Sequence, residues 1–221
     1  MKSIVIWLVA AIPMLFVACS NNKSSSKINH KDAVQTTQEI IENTPAPAKK
    51  YQIKSGTITF QNTMKSGGYS ANHKSIVYFD DYGIKERKDT YDDEGNLDES
   101  FFSDGANLYL IMHKQKTAYD RGKSFRGTEY KFDWDEISFS TIEKGKAKKG
   151  VNETVAGKEC EVFYLETDAG KSKFAGWNNI TLLTEGSGSF GETVNRAIEI
   201  KEGPVDVKLF AVPDGYTLNK N

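Results

Sequence analysis

The chain has 221 residues, and 29 lysines and arginines against 30 aspartates and glutamates leave a formal net charge of −1. That balance excludes a basic stripe for nucleic acid and a strongly acidic face alike. Two cysteines, Cys19 and Cys160, and three histidines are too few for a disulfide framework.

At the N-terminus, Met1-Lys2 supplies a minimal positive start, Ile4 to Val17 is almost wholly apolar apart from Pro13, and Ala18 precedes Cys19. The pattern reads as a cleaved secretion signal over residues 1-18. It is too short for a membrane span, which needs roughly 20 apolar residues. Phe16-Val17-Ala18-Cys19 resembles the lipobox of bacterial lipoproteins, with phenylalanine where that family usually has leucine. The resemblance implies lipidation of the Cys19 thiol and cleavage that leaves Cys19 as the new N-terminus. The alternative is an ordinary signal whose cysteine is incidental. Each buried acyl methylene contributes about 0.8 kcal/mol, so two or three chains would anchor the protein almost permanently.

Residues 19-50 are expected to be a lipidated, disordered tether. They open on Ser20-Asn21-Asn22-Lys23 and end on Thr44-Pro45-Ala46-Pro47-Ala48-Lys49-Lys50, a semi-rigid spacer. Within the tether, Asp32 to Asn43 reads as one short helix in which Val34, Ile40 and Ile41 offer little apolar face. Fully extended, roughly 30 residues reach at most about 100 Å.

Residues 51-221 are read as one domain. From Tyr51 onward the apolar period becomes two, with glycine and aspartate turns between aromatic and β-branched runs. Strands are expected at Gly56 to Gln61, Ser75 to Phe79 and Ile84 to Tyr91, whose many charges suggest an edge or a solvated face. Further strands follow at Ser100 to Ser103, Asn107 to His113, Lys116 to Asp120, Glu159 to Glu166, Lys171 to Ala175, Ile180 to Thr184, Asn195 to Lys201 and Val205 to Phe210. Asp133 with Glu136 three residues on predicts a short helix to about Ile142, although Ile137-Ser138-Phe139-Ser140 reads nearly as well as a strand. Lys144 to Gly150 reads as a loop. The fold class expected is mainly β: a single curved antiparallel sheet forming an unclosed half-barrel with one or two short helices.

The motifs for chemistry are weak. His30, His73 and His113 match no zinc or catalytic spacing. There is no Gly-x-Ser-x-Gly elbow, although a Ser/His/Asp arrangement stays open. Asp92, Glu94, Asn96 and Asp98 alternate through a turn, but the glycine and the closing glutamate of a calcium loop are out of place. Glu185 to Gly191 lacks the Lys-Ser/Thr ending of a phosphate loop. Cys160, in Glu159-Cys160-Glu161-Val162, reads as a buried packing residue without a disulfide partner once Cys19 carries lipid. No catalytic residue, cofactor or metal is expected, and the chain reads as non-enzymatic.

The informative pattern is that Ile76 to Phe79, Leu108 to Ile111 and Val162 to Leu165 carry apolar residues on both faces. A single sheet with one wet face should not. The sheet is therefore expected to curl over itself, either around an apolar cavity or around a filled core. Phe60, Tyr78, Leu110 and Tyr164 are the candidate residues for contact with an apolar ligand.

Ile53 to Ile58, Tyr78 to Glu86, Val155 to Cys160, Gly176 to Ile180 and Phe210 to Tyr216 together resemble uncharacterised Bacteroidetes-type lipoproteins related to the LolA/LolB-like half-barrels. The resemblance implies an apolar cavity that receives a lipid or lipoprotein acyl chain. It also implies attachment to a membrane through lipid on Cys19, with Ser20 compatible with the outer membrane facing the periplasm. An envelope scaffold or protein-interaction module, with Trp177 and Tyr82 in exposed loops and an envelope protein as partner, is the rival reading.

Overall fold

A computed structural model describes residues 49–124, 147–168, 170–189 and 191–220. The helix expected over 133–142, the signal and most of the tether lie outside these residues.

Six strands, β1 (Gly56–Ser66), β2 (Tyr69–Asp80), β3 (Lys85–Tyr91), β4 (Leu97–Ser103), β5 (Asn107–Met112) and β6 (Thr117–Lys123), form an antiparallel meander. A second meander follows: β7 (Ala147–Lys149), β8 (Glu153–Val155), β9 (Lys158–Thr167), β10 (Gly170–Trp177), β11 (Ile180–Gly188) and β12 (Gly191–Glu202). Pairing of β12 with β1 fuses the two meanders at their centre. At one margin β13 (Thr217–Asn219) adds to β6 in parallel, and at the other β7 and β8 both pair with β9. The result is one curved sheet whose edges do not meet, and the described residues are mainly strand and almost without helix.

Local chemistry explains the turns and the curvature. Gly67-Gly68, both at positive φ, closes the β1–β2 hairpin in two residues, the geometry that matches strand twist. Asn178 and Asn179 do the same between β10 and β11, since short amide side chains tolerate the left-handed region. Register shifts at Thr59/Phe60 and at Ala175/Gly176 mark bulges, which bend a strand and raise its twist.

Register assigns the faces. Ile200, Ile58, Val77, Lys88, Phe101, Leu110 and Tyr119 stand opposite one another across β12, β1, β2, β3, β4, β5 and β6. The row on the other face reads Ile76, Asp89, Ser100, Ile111 and Ala118, beside Tyr78, Arg87, Phe102 and Tyr109. The larger core joins Ile58, Phe60, Phe79, Val162, Ala175, Leu182, Leu183 and Ala197, with Tyr51 at its margin. Each fully buried apolar side chain of this kind contributes about 1.5–3 kcal/mol. The smaller core, Phe102, Ile111 and Ala118, is covered by Val212 and Tyr216 of the C-terminal segment.

Four expectations require correction. The run Ile84 to Tyr91 is not an edge, since β3 lies between β2 and β4, and only one of its faces is solvated: Lys88 is exposed, whereas Arg87 and Asp89 on the other face are 5% and 3% exposed. Their charges are tolerated because they neutralise each other beneath the C-terminal segment. Val205 to Phe210 is not a strand, because Val207–Phe210 winds into a 3₁₀ turn capped by Asp206, whose carboxylate accepts from the Lys208 amide at 2.9 Å. Pro204 just before it cannot donate to a ladder. The stretch 144–150 is not wholly loop, since Ala147–Lys149 pairs with β9. Finally, the described residues contain thirteen strands rather than the eleven expected, the extra ones being three-residue pieces too short to show a period.

Candidate functional site

The cleft-bearing face of the sheet is the one carrying Ile58, Phe60 and Val77. There a cleft of about 290 Å³ is lined by Ile58 and Phe60 of β1, Ser75 and Val77 of β2, Glu86 and Lys88 of β3, and Asn195 of β12. The β10–β11 turn adds Asn179, the start of β11 adds Ile180 and Thr181, and the N-terminal segment adds Lys50 and Tyr51. Its size is at the low end of small-molecule sites.

The segment before β1 bridges both meanders. The Tyr51 amide donates to Tyr82 O at 2.9 Å, and the Gln52 amide donates to Asn178 O at 3.1 Å. This places the Tyr51 ring edge-on to Phe79, with centroids 5.1 Å apart. Gly83 makes that position possible: it sits at φ +83, and a Cβ there would lie 2.6 Å from Tyr51 Cδ2. The Tyr51 hydroxyl donates to Glu86 Oε2, which also receives Lys50 Nζ at 2.7 Å. Burial, reinforced by the Glu86 charge, holds the Tyr51 phenol well above its ordinary range, so it stays a proton donor.

The cleft combines an apolar floor with a polar rim. Asn62 Nδ2 donates to Ser75 Oγ at 3.0 Å, and its cross-strand neighbour Asn195 keeps a buried Oδ1 with no hydrogen-bond partner. Lys88 is exposed and enters none of the ion pairs among the described residues. An arrangement of this kind offers an apolar chain the partly exposed Val77 above the buried Ile58, Phe60 and Ile180, while polar atoms meet its head.

The structure also brings a serine, a histidine and an aspartate together. Arg87 Nε donates to Asp89 Oδ1 at 2.6 Å, and Arg87 Nη2 donates to Ser100 Oγ at 2.9 Å. Ser100 donates its proton to Asp89 Oδ1 at 2.5 Å. His113 Nε2 lies 2.7 Å from Ser100 Oγ and Nδ1 lies 2.8 Å from the Tyr216 hydroxyl. With the serine proton committed to Asp89, His113 must donate from Nε2 and accept at Nδ1. Ser100 is fully buried, its proton points at the carboxylate, and the histidine cannot take it. This is a structural network that ties the C-terminal segment to the sheet, not a nucleophile with its base.

Of the four residues predicted to contact an apolar ligand, Phe60 lines the cleft. Leu110 lies in the row that contains Ile58 and Val77, three strands beyond Val77. Tyr78 projects from the opposite face beside Arg87, where burial and then Tyr91 push its phenol up to about 12. Tyr164 stands on β9, 47% exposed, with its ring over Gly150. The four therefore do not converge. Ile58, Val77, Ile180, Tyr51, Lys88 and Asn195 were missed. Alternation with Phe60 pointed to Ile58, and the others needed the register.

Elsewhere, Lys114 bridges Asp92 and Asp98 at 3.1 Å each, which closes the Asp92 to Asp98 turn with an ammonium. Cys160 is buried and free, and burial pushes its thiol up. Tyr82 and Trp177 are half-buried under Lys49 and Lys158, at 3.9 Å and 4.2 Å from their ring centroids. They are not exposed anchors for a protein partner.

No family model matches the chain, and no curated protein matches it. Among solved structures, an uncharacterized conserved protein from Thermus thermophilus is similar with a TM-score of 0.52 at 7% identity, over 85% of this chain and 100% of that one. A LolA superfamily protein from Nitrosomonas europaea is similar with a TM-score of 0.37 at 11% identity, over 79% and 96% of the two chains. Mycobacterium tuberculosis lipoprotein LppX gives 0.36 at 10% identity, over 80% and 96%. The first of these likenesses shows a shared fold.

Proposed function

We propose that this protein is a membrane-anchored, non-enzymatic binder of an apolar ligand, a lipid or lipoprotein acyl chain, held in the half-barrel cleft. The observation that carries the reading is the cleft over Ile58, Phe60, Val77 and Ile180, continued by the row Phe101, Leu110 and Tyr119 along the same face. Phe101 in that row is 44% exposed, which leaves apolar surface that a chain longer than the cleft would cover. Lipidation at Cys19 supplies the anchor, with residues 19-50 as tether and residues 51-221 as the binding domain. Ser20 after the cysteine is compatible with attachment to the outer membrane, facing the periplasm.

The test is native mass spectrometry of the mature chain purified from a bacterial envelope. The expected result is an acylated N-terminal Cys19 together with a second, non-covalent lipid mass that organic extraction removes. A chain that carries no extractable lipid and takes up no fluorescent fatty acid overturns the reading.

A further inference from the structure

Resting on that reading, we propose that the bound amphiphile carries an anionic headgroup and that the Lys88 ammonium selects it at the mouth of the cleft. Three charged residues line the cleft: Lys50, Glu86 and Lys88. Glu86 is already engaged, since its Oε2 receives both Lys50 Nζ and the Tyr51 hydroxyl. Lys50 and Glu86 thus cancel, and the cleft is left with one uncompensated positive charge.

The position of that charge is unusual for a decorative surface lysine. Lys88 stands on a strand interior to the sheet, and its cross-strand neighbours on the same face are Val77 and Phe101. The row around it is otherwise apolar, from Ile200 through Ile58 and Val77 to Leu110 and Tyr119. A lysine there lays an apolar stem along the chain-binding surface and holds its ammonium in water. A carboxylate or phosphate at the end of an acyl chain lying on Val77 and Phe101 would meet it. A neutral head would leave the charge unused and would gain nothing from it.

The experiment uses the full chain in phosphatidylcholine vesicles, with dansyl-undecanoic acid and its methyl ester as probes, read by energy transfer from tryptophan against protein-free vesicles. The acid should bind about fivefold more tightly than the ester, the scale of an exposed ion pair, and the preference should shrink as salt rises. Lys88→Gln should remove the preference, and Lys88→Glu should reverse it. Near-UV circular dichroism verifies that the variants keep the fold, and the salt series on the unaltered chain stands without any variant. Competition by phosphatidylglycerol in the vesicles would identify a phospholipid phosphate as the anionic group, and its failure a free fatty-acid carboxylate. If acid and ester bind equally and salt has no effect, the headgroup proposal is overturned while the apolar cleft stands. If neither probe binds, the cleft reading itself falls.

Discussion

The Tyr216 hydroxyl donates to His113 Nδ1 across 2.8 Å, joining residues 103 positions apart in the chain. The two rings also meet edge-on with centroids 5.6 Å apart. Together with the bond from Arg87 Nη1 to Leu209 O at 3.0 Å, this contact fastens the segment after β12 across the face of β3, β4 and β5 opposite the cleft. From there the chain reaches β6 and adds β13 to it. Tyr216→Phe keeps the ring contact and leaves Nδ1 without a donor. It should destabilise the fold by about 0.5–1.5 kcal/mol, the net worth of one hydrogen bond at a half-buried site. Urea unfolding measures this, and amide exchange at Thr217 to Asn219 should accelerate more than exchange in β1. Equal protection in both proteins would refute the fastening role.

The same histidine sets a pH dependence. Burial, and then the Arg87 charge, hold His113 below the ordinary histidine value of 6.5. The unfolded chain therefore takes up the proton at higher pH than the folded one, and stability rises with pH wherever that is so. This contribution is fully present above about 6.5 and is lost as pH falls from there toward the lower folded value. Protonated Nδ1 would become a donor facing the Tyr216 hydroxyl, which must then turn to accept. Urea midpoints from pH 8 down to 5 should decline for the unaltered protein and decline less for His113→Gln, itself less stable at pH 8. Parallel curves for the two proteins would show that His113 does not carry the effect.

The buried pair beneath the C-terminal segment should behave unlike a surface salt bridge. Arg87 and Asp89 side chains are 6% and 5% exposed. Removing one partner leaves the other uncompensated, which costs about 3–5 kcal/mol, whereas replacing both by apolar residues is often close to neutral. Arg87→Met should therefore destabilise by that amount, and Arg87→Met combined with Asp89→Leu should recover a large part of it. Urea unfolding of the two variants, with Ser100 and His113 kept, decides the matter; a double variant worse than the single would show the pair to be net stabilising.

How much of this was legible in the sequence divides along physical lines. Strand content was, because Gly56 to Gln61 alternates with period two and Ser75 to Phe79 is a β-branched and aromatic run between turns. The half-barrel was too, because runs such as Val162 to Leu165 are apolar on both faces. The polar halves of β1 and β2, Asn62 to Ser66 and Tyr69 to Lys74, were not, since a two-glycine hairpin rather than apolar burial extends them. Which face a residue takes depends on register, and a shift of one residue exchanges the faces. That is why Phe60 reached the cleft and Tyr78 did not. Lys88 stayed hidden for another reason: in Lys85-Glu86-Arg87-Lys88-Asp89 the charges look alike. Only pairing with Val77 and Phe101 separates the cleft-facing Glu86 and Lys88 from the buried Arg87 and Asp89.

Closure of the cleft by Tyr51 depends on Gly83. The residue sits at φ +83, where an L side chain is strained, and its missing Cβ would also fall 2.6 Å from Tyr51 Cδ2 and 2.8 Å from Cε2. The left-handed conformation alone costs about 1–2 kcal/mol for alanine. The ring must then withdraw from Phe79 and from Glu86. Gly83→Ala should therefore destabilise by more than the conformational cost, about 2–4 kcal/mol once part of the Tyr51 burial is lost. Tyr51→Ala in the same background should then cost less than it does alone, because the ring has already been displaced. Urea unfolding of the four proteins in that cycle gives the coupling. Strict additivity would mean that Gly83 serves only its own turn and not the position of the ring.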